Sequence, residues 1–214
     1  VKTPIGLLLL AALGCGFVLY RFRRSAWQQV LTAVFPIVIL LVCMLARIDL
    51  GVRHILPIYP LLSIVGGYAV TALFRHSRLA GVAGAILVAW VVVDSWQAHP
   101  DYLAHFNEVA GYHPEKILCE SDLDWGQDLH RLSLRLKERG IQEFSIAYFG
   151  TALLHKADLP HYELLSPTQS SRGYIAVSLH DLNIDYKKDG SFAWLKSYTP
   201  VERIGKSIDL FYIP

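Results

Sequence analysis

Acidic residues are nearly missing from the first 96 of the 214 positions, where only Asp49 and Asp94 occur against eight Lys and Arg. That stretch carries +6 and the remainder, with twelve basic and sixteen acidic residues, carries −4. The net +2 of the chain therefore conceals a basic half and an acidic half, and neither suggests a nucleic-acid partner. Cysteine is scarce too. Cys15 and Cys43 lie inside apolar runs and Cys119 lies beyond them, with no spacing that suggests a disulfide or a metal site. They read as small apolar side chains. Nine histidines are present, but His105, His113, His130, His155, His161 and His180 show no metal-ligand spacing.

What the sequence has in quantity is apolar residues, 53% of the chain, with a mean hydropathy of +0.36. Before Gln97 they form near-continuous runs, and after it they alternate with polar residues. Four runs cover residues 4–20, 26–46, 55–74 and 79–96, each 17 to 21 residues long. At 1.5 Å per helical residue such lengths match a hydrocarbon core of about 30 Å. Backbone groups in lipid must satisfy one another, so each run is expected to be a transmembrane helix. Pro36 is expected to kink the second. Gly66, Gly67, Gly81 and Gly84 offer small surfaces for close helix approach. Trp27, Tyr59, Tyr68, Trp90 and Trp96 include candidate interface anchors.

The chain starts at Val1, which suits an alternative start codon or the C-terminal piece of a longer protein. A signal peptide competes, since Ala-Leu-Gly-Cys15 resembles a lipoprotein cleavage box. The apolar run continues through Tyr20 and three more runs follow, which favours membrane helices. The short connections 21–24 and 75–78 are basic, and the positive-inside rule places them in the cytoplasm. The N-terminus, the loop 47–54 and everything after Trp96 then fall outside. Arg47 and Arg53 run against the rule there, as expected of positive charge with a use.

The remainder, residues 98–214, is expected to be an extracytoplasmic α/β domain. Its first stretch, 99–112, reads as an amphipathic helix with Tyr102, Leu103, Phe106 and Val109 on one face. Asp124 and Gln127 form a capping-box pattern ahead of a helix with Leu129, Leu132 and Leu136 as its apolar stripe. Arg131, Arg135, Lys137, Glu138 and Arg139 occupy its polar face, and Gly140 ends it. Strands are expected at 144–149, 174–179 and 207–213, with another considered at 117–120 and a short helix near 192–197. The fold class is thus a four-helix membrane bundle (residues 1–97) followed by one sheet with a helix packed on it.

Several strings occur in order: Lys2-Thr-Pro, Leu50-Gly-Val-Arg-His-Ile-Leu-Pro-Ile-Tyr-Pro60, His99-Pro-Asp-Tyr-Leu, Phe106-Asn-Glu and Leu123-Asp-Trp-Gly-Gln-Asp-Leu129. Together they resemble the C-terminal portion of bacterial membrane glycosyltransferases of family 39, the protein-mannosyltransferase-like group with the GT-C architecture. Asp122 departs from that family's string, which has asparagine there. The resemblance implies a bacterial cytoplasmic-membrane protein that takes sugar from a polyprenyl-phosphate carrier and hands it to an extracytoplasmic acceptor, itself unidentified. It also implies a catalytic carboxylate in a first outer loop. Residues 1–97 hold no acidic pair of that kind, so the catalytic N-terminal half is expected to lie outside this chain.

In such a reaction a carboxylate deprotonates the acceptor hydroxyl, and cations or a metal stabilise the departing phosphate. A divalent metal is the one cofactor this chemistry leaves open. Guanidinium forks match phosphate oxygens, which makes Arg53 the first candidate for the carrier phosphate, His54 the second and Lys2 the third. Each has an ordinary alternative. Arg53 snorkels to headgroups or pairs with Asp49, His54 is an interfacial residue, and Lys2 is a helix flank. Asp124, Trp125, Gln127 and Asp128 are the acceptor-side candidates, although a helix cap accounts for Asp124 and Gln127. From a different class, the chain reads as a non-catalytic membrane-anchored binding or assembly module.

Overall fold

A computed structural model describes residues 1–21, 26–45, 52–118, 123–185 and 190–214, and the chain divides into two compact units, Val1–Gly111 and Tyr112–Pro214. The composition shift at 97 therefore precedes the structural division.

The first unit contains α1 (Ile5–Tyr20), α2 (Trp27–Leu45), a one-turn 3-10 helix (Val52–Ile55), α3 (Ile58–His76) and α4 (Arg78–Ala98). Of these, α2, α3 and α4 are long and apolar enough to cross a membrane. The expected fourth span falls short. Pro4 is extended and caps the helix, so α1 has 16 residues, about 24 Å at 1.5 Å each. Their outer surfaces are apolar: on α2 only Ala33 and Pro36 are buried, while Leu31, Val34, Phe35, Ile37, Leu41 and Val42 are exposed. A surface of that kind suits lipid, where no water has to be displaced from it.

Inside the unit, contact is made through small residues. A Cβ on Gly14 would lie 2.2 Å from the Val65 carbonyl oxygen, and one on Gly6 would meet Leu87 O and Val91. Gly84 packs on Leu73, Gly81 on Phe74 and Gly66 on Leu10, whereas Gly67 meets nothing. Helices α1 and α3 run parallel, with Thr3 beside Tyr59 at one end and Cys15 and Val18 near Tyr68 towards the other. Between α3 and α4 stands only Ser77, whose hydroxyl accepts from Ala80 N–H and caps α4. The starts of α1 and α3 and the end of α4 thus share one end of the bundle.

At that end the expected amphipathic helix over 99–112 is not formed. Residues 99–107 are turns and irregular backbone, and a single 3-10 turn, Glu108–Ala110, follows. The chain's polar groups go elsewhere. Lys2 Nζ donates to Leu103 O, Asn107 N–H donates to Val1 O, and Asn107 Oδ1 caps the 3-10 turn. Tyr102, Leu103 and Val109 remain exposed.

The second unit contains α5 (Leu129–Glu138) and five strands: β1 (Glu143–Ala147), β2 (His161–Leu164), β3 (Gly173–Ser178), β4 (Glu202–Ile204) and β5 (Ile208–Ile213). Leu129, Leu132 and Leu136 are buried as one stripe on the sheet. Gly140, at φ 67°, ends α5 in a Schellman arrangement, with Gly140 N–H on Lys137 O and Ile141 N–H on Leu136 O. Strand order is β2-β1-β3-β5-β4, parallel among the first three and antiparallel at β3–β5 and β5–β4. One face carries the core under α5. The other is covered by Phe192 and Leu195 of the region around the 3-10 helix Ala193–Ser197. The three expected strands are present. β2 and β4 were not expected, and Pro114–Lys116 is a 3-10 turn; the strand considered at 117–120 falls partly outside the described residues.

Candidate functional site

The strings that carry the family resemblance in the first unit converge on the shared end of the bundle. Lys2 lies 3.7 Å from the centroid of the Phe106 ring while its ammonium donates 2.8 Å to Leu103 O. Thr3 Oγ1 and Tyr59 OH are hydrogen-bonded at 2.9 Å, and Asn107 Nδ2 donates 2.7 Å to Thr3 O. Lys2-Thr-Pro, Tyr59-Pro60 and the segment 102–108 therefore build one structure from three distant stretches.

Two pairs extend it that sequence reasoning did not find. Trp90 Nε1 donates 2.8 Å to Glu108 Oε1, and His105 Nε2 lies 3.2 Å from Asp94 Oδ2, with both side chains largely buried. The backbone N–H of Glu108 and then the Trp90 indole hold the Glu108 carboxyl below its ordinary range. Neither pair follows a helical or strand period, and Asp94 stood alone in its apolar run, so no sequence signal marked it.

Arg53 and His54 are exposed on the 3-10 turn that leads into α3 through Pro57. This places them at the same end of the bundle as Lys2. Arg47 and Asp49, and with Asp49 the alternative partner of Arg53, lie outside the described residues, as do Arg23, Arg24, Cys119 and Asp122.

The acceptor-side candidates all belong to the loop that enters α5. Asp124 is fully buried and accepts from Gly126 N–H at 2.9 Å and Ser178 Oγ at 2.8 Å. Its turn precedes the helix, so the expected capping box is replaced by a different arrangement. The residue at the helix start is Asp128, whose side chain makes no capping bond. Gln127 instead closes the loop on itself, donating to Leu123 O and accepting from Trp125 N–H. Asp128 is 1% exposed. Its Oδ2 accepts from Lys206 N–H, Ser207 N–H and Ser207 Oγ at 2.8 to 3.1 Å, and its Oδ1 accepts from Arg131 Nη1 at 2.8 Å. Trp125 is 37% exposed.

Burial pushes the Asp124 carboxyl up, against the pull of its hydrogen bonds, and the nearby Asp128 adds to the rise. The Tyr148 phenol beside it is also raised, chiefly by burial. Positions 126 and 150 require glycine: both have positive φ, and a Cβ on either would fall within 2.2 Å of the Tyr148 hydroxyl. The loop thus lies at the carboxyl ends of β1 and β3, where strands β2 and β3 leave β1 on opposite sides. Open parallel sheets have their crevice at such a point. Phe149 and His180 stack there at 3.5 Å between centroids, and His180 Nδ1 lies 3.3 Å from Asp181 Oδ1.

Among the described residues, no group of three or more His, Cys, Asp or Glu side chains is placed to hold a metal ion. No protein-family model matches the chain, and neither a curated protein nor a solved structure matches it significantly.

Proposed function

We propose that this chain is the C-terminal part of a polytopic glycosyltransferase of the bacterial cytoplasmic membrane. It takes sugar from a polyprenyl-phosphate carrier, its catalytic carboxylate is supplied by an N-terminal half, and the sheet unit lies outside the membrane facing the acceptor. In this reading α1 completes a four-span bundle with α2, α3 and α4. The observation that carries the proposal is the convergence of the resemblance strings at one bundle end, with Lys2 fixed over Phe106 and Thr3 bonded to Tyr59.

Arg53 and His54 are exposed at that end, ahead of the positive pole of α3. There Arg53 takes the carrier phosphate in bidentate fashion and His54 adds a donor. Lys2, already tied to Leu103 and Phe106, orders the neighbouring turn and adds positive potential. A charge-assisted hydrogen bond contributes about 1.5–3 kcal/mol, so Arg53→Ala should weaken binding of a lipid-linked sugar roughly ten- to hundredfold. The measurement is donor binding and turnover by a protein that contains this chain. Unchanged affinity and turnover remove Arg53 from the site.

The second reading, a non-catalytic membrane-anchored binding module, is favoured by Asp124 and Asp128. Both carboxylates are buried and engaged by the fold rather than presented to a substrate. The genomic frame upstream of Val1 separates the two: further apolar spans and an outer loop with paired acids support the transferase.

A further inference from the structure

Most acids of the sheet unit that lie near a cation are paired with it: Asp128 with Arg131, Asp158 with Lys137, Glu202 with Arg135 and Arg139, and Asp209 with Arg203. One cluster departs from this. A cavity of about 320 Å³ at the amino-terminal ends of β1, β2 and β3 is lined by Glu143, Ser145, His161, Glu163, Ser171 and Arg172, with a few neighbours. Among the described residues, the side chains of Glu143, His161, Glu163 and Arg172 make no hydrogen bond or ion pair, although charges of both signs surround the same cavity.

The placement follows from strand register. Glu143 pairs with His161 and Ser145 with Glu163 across the parallel β1–β2 ladder. Phe144 and Tyr162, the intervening residues, belong to the core under α5. Strand alternation therefore sends the four polar side chains to the opposite face. On that face Phe192 and Leu195 cover the apolar carboxyl half of the sheet, Ala147, Val177 and Leu165 included. The polar amino half is left open. Ser145 Oγ lies 3.3 Å from Ser171 Oγ at its floor and Arg172 stands at the entry to β3.

This donor and acceptor set selects a ligand class. Two carboxylates accept, a guanidinium and an imidazole donate, and two hydroxyls do either. A sugar ring offers the matching pattern of adjacent hydroxyls. Two carboxylates against one guanidinium repel an anion, and an apolar ligand would strip water from these charges without replacing it. The volume lies at the low end for small-molecule sites, room for about one or two sugar rings. We propose that this cleft binds a glycan that is uncharged or carries amines. The inference goes beyond the transferase reading and can fail without it, since a glycan site on the sheet unit needs no carrier phosphate.

The test uses the full chain in detergent or nanodiscs. The probes are tetrasaccharides of glucose, mannose and N-acetylglucosamine, the glucosamine tetramer, and a sulfated heparin tetrasaccharide. Expected is saturable binding of at least one neutral or amine-bearing probe, with residues 161–172 protected from hydroxyl-radical labelling. Glu163→Gln and Arg172→Ala, both exposed and unpaired, should each weaken it about tenfold (~1.4 kcal/mol). Glu138→Gln on α5, on the other face, should leave it unchanged, as should Arg53→Ala whatever the fate of the transferase reading. Preference for heparin, no saturation by any probe up to about 10 mM, or binding by the two cleft variants as tight as that of the wild type overturns the proposal.

Discussion

Asp128 is the residue whose loss should be felt most in the sheet unit. Its Oδ2 is the shared acceptor for Lys206 N–H, Ser207 N–H and Ser207 Oγ, and Ser207 is fully buried. These donors form the turn between β4 and β5, so one carboxylate ties the start of α5 to a distant hairpin. Asp128→Ala leaves two donors of buried Ser207 without a partner, each at about 1–3 kcal/mol. Arg131 is partly exposed, so the loss of its ion pair adds little. The expected loss is about 3–5 kcal/mol, a large part of the 5–15 kcal/mol typical of a domain. Asp128→Asn keeps one oxygen for the turn but turns its amide N–H groups towards Arg131, and should lose about 1–2 kcal/mol. Native-state hydrogen exchange of the peptide covering 202–213, on the full chain in detergent, measures both. Protection should fall in the order wild type, Asn, Ala. An Ala variant protected within about 0.5 kcal/mol of wild type would refute the reasoning, because the turn would then hold without its acceptor.

Three further outcomes are expected. Since burial raises the Asp124 pKa in the folded state, its contribution to stability is full below about pH 3.9, the ordinary aspartate value, and is lost as pH rises through the folded value. Protection of the sheet in wild type should therefore decline with rising pH relative to Asp124→Asn; a pH-independent difference contradicts this. Gly14→Leu forces a Cβ to within 2.2 Å of Val65 O and should separate α1 from α3 at a cost of about 1–3 kcal/mol or more, read as loss of a disulfide introduced between the two helices. Lys2→Met removes the bond to Leu103 O and the contact with Phe106, so exchange of residues 101–108 should accelerate while that of α3 stays unchanged; unaltered exchange shows that Asn107 alone holds the turn.

Local pattern was a reliable guide wherever a residue's partners are its chain neighbours. The stripe Leu129, Leu132, Leu136 and the stop at Gly140 were legible because a helix brings i, i+3 and i+4 together. The segment 99–112 misled for the same reason. Its apolar spacing fits a helix, but Lys2 takes the Leu103 carbonyl and Asn107 binds the Val1 and Thr3 carbonyls, contacts that come from the far end of the sequence. Asp124 and Gln127 showed the spacing of a capping box and form a loop closure one turn earlier. β2 and β4 carry no local signal, because strands of four and three residues leave no period to count.

By itself the sequence determined that this chain has an apolar helical half and a mixed α/β half, because run length and periodicity are properties of neighbouring residues. It also marked the cations Arg53 and Lys2, and with them His54, beside apolar runs. Only the tertiary structure decided that Lys2, Tyr59 and Asn107 meet at one end of a bundle and that Asp94 meets His105. It alone decided that Asp128 braces a hairpin nearly eighty positions away, and that Glu143, His161, Glu163 and Arg172 surround an open cleft. Those contacts join residues far apart in the chain, and which distant surfaces meet is set by packing and burial that no local spacing encodes.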